Sequence, residues 1–162
     1  MITLDLPDAG AVKPTAVNLA GLRPFVVRAQ KAVPLAGAVS VLLTGDREIR
    51  RLNRTFRHKN QATDVLSFPA PDFSAGCAGD LAISLETAAC QARQFGHPLE
   101  MEVKILLLHG LLHLAGFDHE TDSGEMAARE DALRRRFRLP STLIARAGAT
   151  AAPSVKKARG QR

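Results

Sequence analysis

The chain has no tryptophan and no tyrosine, and aromatic residues make up only 4% of its 162 positions. A broad flat surface for stacking rings is therefore not expected. Two cysteines, Cys77 and Cys90, are too few for a disulfide framework, so stability has to come from an apolar core. The longest uncharged runs, Ala32 to Gly45 and Ile105 to Phe117, fall short of the roughly 20 residues of a membrane helix. The opening "MITLDLPDAG" carries Asp5 and Asp8 and no basic segment, unlike a secretory signal. A soluble cytoplasmic protein is the expectation. There is no internal repeat.

What is present suits one domain. A length of 162 residues with 46% hydrophobic and 23% charged positions can bury a sizeable core. The net charge of +6 is unevenly spread. No acid follows residue 145, whereas Arg146, Lys156, Lys157, Arg159 and Arg162 do. The division expected is a domain over 1–145 and a basic, disordered tail over 146–162, suited to loose attraction to polyanions or to no role at all. Two further basic clusters occur. One is Arg47, Arg50, Arg51, Arg54, Arg57 and Lys59; the other is "RRRFR", Arg134 to Arg138. Either alone reads equally well as a solvated helix face.

Hydrophobic periodicity orders the chain as β, α, β, α, β, β, α, α, α. "MITLDL", "AVSVLLTG", "TDVLSFP" and "DLAISL" read as strands. The helix "DREIRRLNRTF" has Asp46 as its expected N-cap and Ile49, Leu52 and Phe56 on its inner face. Pro24 kinks the first helix or marks its first turn. Pro98 and Gly116 bracket a long helix that is apolar nearly all round, so it should run through the middle of the fold. The expected class is α+β, with a small mixed sheet of about four strands packed with about five helices.

That long helix carries the chemistry. "HGLLHLAGFDH" places His109, His113 and His119 within eleven residues. Four residues turn a helix by about 400°, so His109 and His113 point the same way, one turn apart. Gly116 ends the helix and lets the chain fold back, so His119 can return as a third ligand. Three neutral nitrogens on a tetrahedral zinc leave one position open, as catalytic sites do. Three histidines so spaced are improbable as core packing alone. The same spacing occurs in zinc peptidases, but Gly110 stands where their glutamate base would be. The metal frame is present without the peptidase base, which points away from an amide substrate.

With these residues in place, the chain resembles the YbeY endoribonucleases over about residues 35–135. "HGLLHLAGFDH" is similar to that family's metal motif, "LNRTFRHKNQATDVLSFP" (Leu52 to Pro69) to its upstream signature, and "GDLAIS" (Gly79 to Ser84) to its Gly-Asp strand. Asn60 and Ala62 depart from the family's usual Asp and Pro. The resemblance implies a zinc-dependent endoribonuclease specific for single-stranded RNA. Its implied targets are ribosomal RNA and ribosomal particles, in 3′-end maturation of the small-subunit RNA and in ribosome quality control. One zinc per chain would sit on His109, His113 and His119. The resemblance also offers Arg57 as the cation that meets charge developing on the phosphate. With so few aromatic residues, RNA binding should rest mainly on phosphate contacts.

Several residues keep two readings. Asp118 either orients an imidazole or bonds within its loop. Asp80 either braces the site or serves a turn. Thr63 and Ser67 belong to the signature and hold at least its loop. His58 and His97 read as ordinary surface or loop histidines. The sequence leaves water and the RNA 2′-hydroxyl both open as nucleophile. Two other functions compete: a zinc peptidase of related architecture, and a non-catalytic ribosome assembly factor with structural zinc.

Overall fold

Helix α4 (Leu99–Leu114) has no polar face to offer water, and the fold is built around it. From Ile105 to Leu112 every residue is buried, and Val103 and Leu114 extend the buried surface at both ends. Pro98 stands at the N-cap position, where a missing N–H costs nothing, and Gly116 follows the last turn. Each fully buried aliphatic side chain contributes about 1.5–3 kcal/mol relative to exposure, so this one helix anchors much of the core.

The computed structural model describes residues 2–5, 12–13, 17–71 and 76–140. The chain runs β1 (Ile2–Asp5), α1 (Leu19–Ala32), β2 (Ala38–Thr44), α2 (Asp46–Arg57), β3 (Val65–Pro69), β4 (Cys77–Ser84), α3 (Leu85–Phe95), α4 and α5 (Glu125–Phe137). The four strands form one mixed sheet in the order β1-β2-β4-β3. β1 and β4 run parallel to β2, and β3 pairs antiparallel with β4 and is an edge strand among the described residues. The α+β class, the strand and helix order and the central metal helix are as the sequence predicts. The basic tail over 146–162 lies outside the described residues.

Alternation along β3 and β4 divides the core. One side joins α1, α4 and α5 with the sheet; the smaller side gathers Ile49, Leu66 and Ala82 under α2. Gly79 lies where β3 passes closest. Its φ is +139°, and an added Cβ would stand 2.4 Å from the Phe68 carbonyl oxygen, so only glycine fits.

Four local expectations change. Pro24 lies inside α1, in its second turn, behind an Asn18 cap that accepts from the Gly21 N–H. Gly45 holds the N-cap position of α2, whereas Asp46 opens the helix and accepts from the hydroxyls of Ser84 and Thr87, tying α2 to α3. Phe56 follows Ile49 and Leu52 on the inner stripe, but that stripe outruns the sheet, and Phe56 is 62% exposed. Arg134, within the supposedly solvated "RRRFR" run, is buried; it donates to Glu130 through Nε and Nη2 and to the Pro140 carbonyl through Nη1.

Candidate metal centre and cleft

His109 and His113 stand one turn apart on α4, and the chain beyond brings His119 back to them. Gly116 adopts φ +91° while its N–H donates to the His113 carbonyl and the Phe117 N–H to that of Leu112. Asp118 then accepts the Glu120 N–H and the Thr121 hydroxyl, which turns His119 inward. The three rings meet with centroids 4.8, 5.4 and 5.2 Å apart. One nitrogen from each lies within 4.8 Å of the others, and among the described residues no fourth His, Cys, Asp or Glu joins the group.

The donor set fits a metal ion. Nε2 of His113 faces Nε2 of His109 at 3.1 Å. A tetrahedral ion with bonds of about 2.0–2.1 Å spaces its donors by roughly 3.3 Å, so two lone pairs already converge at nearly that separation. Burial, followed by the neighbouring His109 and His119, lowers the His113 pKa to about 4. The ring is therefore neutral at pH 7, as a ligand must be.

Glu130 on α5 fixes the deepest ring. It lies 3.2 Å from Nδ1 of the buried His109 and accepts a hydrogen bond from that N–H, which leaves Nε2 free to face the cluster. Burial alone would raise this carboxyl, but His109 and Arg134 outweigh it and hold the group below the usual carboxylate range. Sequence reasoning missed Glu130. A signal was available: it lies four residues after Met126 and three before Leu133, on the apolar stripe of α5, where a charge needs a partner. Glu130→Gln is expected to lower metal affinity about 10- to 100-fold, read by competition with a chromophoric chelator. Loss of Arg134's buried counter-charge should also destabilise the fold by about 3–5 kcal/mol, read by urea unfolding. Unchanged affinity would limit Glu130 to bracing α5.

A cleft of about 600 Å³ opens over the histidines, lined by Arg57, Asp64, Ser67, His113, Asp118 and Glu120 among others. Arg57, at the end of α2, donates through Nη2 to the Ser67 carbonyl at 2.9 Å, and its guanidinium lies 6.0 Å from the centre of the Phe68 ring. These contacts fix the group beside the cleft and leave other N–H donors facing it. Asp64, also unforeseen, accepts from Thr63, Val65 and Gln91 and so holds the signature loop in shape.

Gly110, in place of a peptidase glutamate, has a packing reason. A Cβ there would lie 2.8 Å from Leu81 Cδ2 and 3.4 Å from Ser67 Oγ, so β4 and β3 press directly against the helix. A side chain would fit here only if Leu81 moved aside, and glycine itself supplies no general base.

The match to the sequence profile described as Endoribonuclease YbeY spans residues 22–138. The chain belongs to the YbeY endoribonuclease family. An Endoribonuclease YbeY from Koribacter versatilis is 51% identical over 143 residues, covering 88% of this chain and 91% of the relative. One from Solibacter usitatus is 50% identical over 133 residues, covering 82% and 88%. A solution structure from Thermotoga maritima superposes with a TM-score of 0.56 at 26% identity, covering 98% of this chain and 100% of that one.

Beside this family assignment, the remaining candidates fall into place. Asp118 lines the cleft but spends its carboxylate on the loop. Its pKa is lowered chiefly by the Glu120 N–H. Ser67 lines the cleft, and its hydroxyl lies 3.4 Å from the Gly110 carbonyl. Asp80 is an exposed strand residue away from the cleft lining. His58 caps α2 in the left-handed conformation and lies outside that lining. His97 is largely covered, with Nε2 2.9 Å from the buried Glu102 carboxylate, which makes it a structural residue. Among the described residues no helix is long and apolar enough to cross a membrane.

Proposed function

We propose that the chain cleaves phosphodiester bonds of single-stranded RNA. Zinc would be held, one per chain, by His109, His113 and His119, and small-subunit ribosomal RNA in ribosomal particles is the substrate the family suggests. A cytoplasmic setting accords with that substrate. The carrying observation is the convergence of three histidine nitrogens, with no fourth ligand among the described residues, in a cleft whose wall presents Arg57. When bound, the ion supplies a Lewis acid that polarises a phosphoryl oxygen and lowers the pKa of an attacking hydroxyl group.

The chain's own residues supply the rest. Glu130 keeps the His109 proton on Nδ1, so that Nε2 remains a donor. Arg57, already hydrogen bonded to Ser67, presents its remaining N–H groups to non-bridging oxygens as charge grows there. The cluster runs from the exposed His119 down to His109, which is 8% exposed; a flexible strand can follow that descent more readily than a rigid duplex. The three-donor set with an open side favours catalysis over a structural zinc, and glycine at position 110, where a peptidase needs its glutamate base, disfavours the peptidase.

Purified protein, with and without chelator, is to be assayed on single-stranded RNA, duplex RNA and a peptide pool. Chelator-sensitive cleavage of single-stranded RNA alone is the expected result. Peptide cleavage, or inertness in every assay, would overturn this reading.

A further inference from the structure

The chain has seven phenylalanines, and Phe56 stands out among them by where it lies. It is 62% exposed, against 39% for Phe95 and 38% for Val27, the other large apolar side chains at the surface among the described residues. Its recorded ring contact is edge-on with Phe68, at 5.4 Å between centroids and 65° between planes. That arrangement holds the ring while leaving most of it open to a third planar group.

The ring that backs it lies beside a cation. Arg57 lies 6.0 Å from the Phe68 ring centre and lines the cleft, so Phe56, Phe68 and Arg57 form a continuous chain from open surface to the histidine site. Arg47, Arg50 and Arg54 are exposed, with no ion pair among the described residues. At about 100° per residue they share roughly one quarter of the helix surface with Arg57, on the face turned away from the Phe56 stripe, so Arg57 is where this cationic face and the aromatic pair meet at the cleft. An aromatic face linked through Phe68 to a cleft-lining arginine suits a base joined to a charged backbone better than an apolar peptide. So few aromatic residues leave little stacking surface, and two of them meet at this one spot.

We propose that Phe56, backed by Phe68, is a stacking subsite for a nucleobase of the RNA strand, next to the phosphate that Arg57 meets. This rests on the single-stranded RNA reading above. The subsite is indifferent to base identity, since every base has a π face. It fixes which stretch of the strand lies over the histidines.

The absence of tryptophan supplies the test. Phe56→Trp in the full, metal-loaded chain places a lone indole at the subsite. The probe is a short single-stranded oligoribonucleotide with methylated 2′-hydroxyls and phosphorothioate linkages, which resists cutting. Saturable quenching is expected from it and not from an abasic oligomer of equal length and charge. Phe56→Ala should weaken binding roughly 5- to 100-fold with an unchanged salt slope, because no charge is lost. Arg54→Ala should instead lower that slope by about one. If Phe56→Ala melts early, Phe56→Leu keeps the apolar contact with Phe68 without the flat face and should show the same loss. Equal quenching by the abasic oligomer, quenching by an apolar peptide but not by RNA, or wild-type binding by Phe56→Ala would each overturn the subsite. Quenching in a protein that cuts no RNA would sink the nuclease reading and leave the subsite standing. Normal cleavage with indifference to Phe56→Ala would do the reverse.

Discussion

His113→Ala should remain folded and lose its metal. The three donors converge from one helix and one loop, with His109 buried and His119 exposed, and each ring is one corner of a near-equilateral triangle. Removing His113 leaves two donors that no longer enclose a position. The loss of one of three strong ligands is worth several kcal/mol, so affinity should fall at least about a hundredfold. The fold has little stake in this ring, since the core around it is built from Leu106, Leu107, Leu111 and Leu114. The check is elemental analysis per chain after dialysis, paired with melting. Wild-type metal content in the variant would show that the ion, if held, is held elsewhere. RNA cleavage should drop to background in the same preparation.

Arg57→Ala tests the other half of the site. It should keep its metal and most of its RNA affinity, since Arg47, Arg50, Arg54 and Lys59 still attract the backbone. Single-turnover cleavage should be at least about a hundredfold slower, the scale of losing one preorganised charge-stabilising group. Arg57→Lys should recover little. An ammonium can reach the Ser67 carbonyl or a phosphate oxygen, but it lacks the planar fork that serves both. Near-normal turnover by Arg57→Ala would reduce this residue to a brace for β3.

The three-histidine cluster was legible because its code is local. A helix repeat brings His109 over His113, and Gly116 reverses the chain within three residues of His119. The order of elements was legible for the same reason, since each strand and helix carries its own period and punctuation. Contacts between distant elements were not. Glu130 meets His109 from another helix, and nothing local in "EMAAREDALRRRF" says which ring its carboxylate will face. Arg134 reads as one more surface cation in a basic run until α5 is docked and Glu130 becomes its partner. Phe56 failed in the opposite sense. Periodicity placed it on the inner stripe correctly, but only the sheet's extent decides where that stripe ceases to be covered. Gly110 was read from a missing function, whereas its cause is the closeness of Leu81 on β4.

The outer edge of β3 carries one more consequence. The Ser84 N–H donates to the Asp64 carbonyl and the Ala70 N–H to that of Ala78. Antiparallel alternation therefore turns the backbone groups of Val65, Ser67 and Pro69 away from β4. Such an edge invites a strand from another molecule. Here the Val65 N–H is taken by the Asp64 carboxylate, the Ser67 carbonyl by Arg57, and Pro69 has no N–H to give. The side chains that shape the cleft wall also blunt this edge against self-association. A population that lost Arg57 would regain an open acceptor there, and would be more prone to aggregate on concentration while its melting point stayed the same.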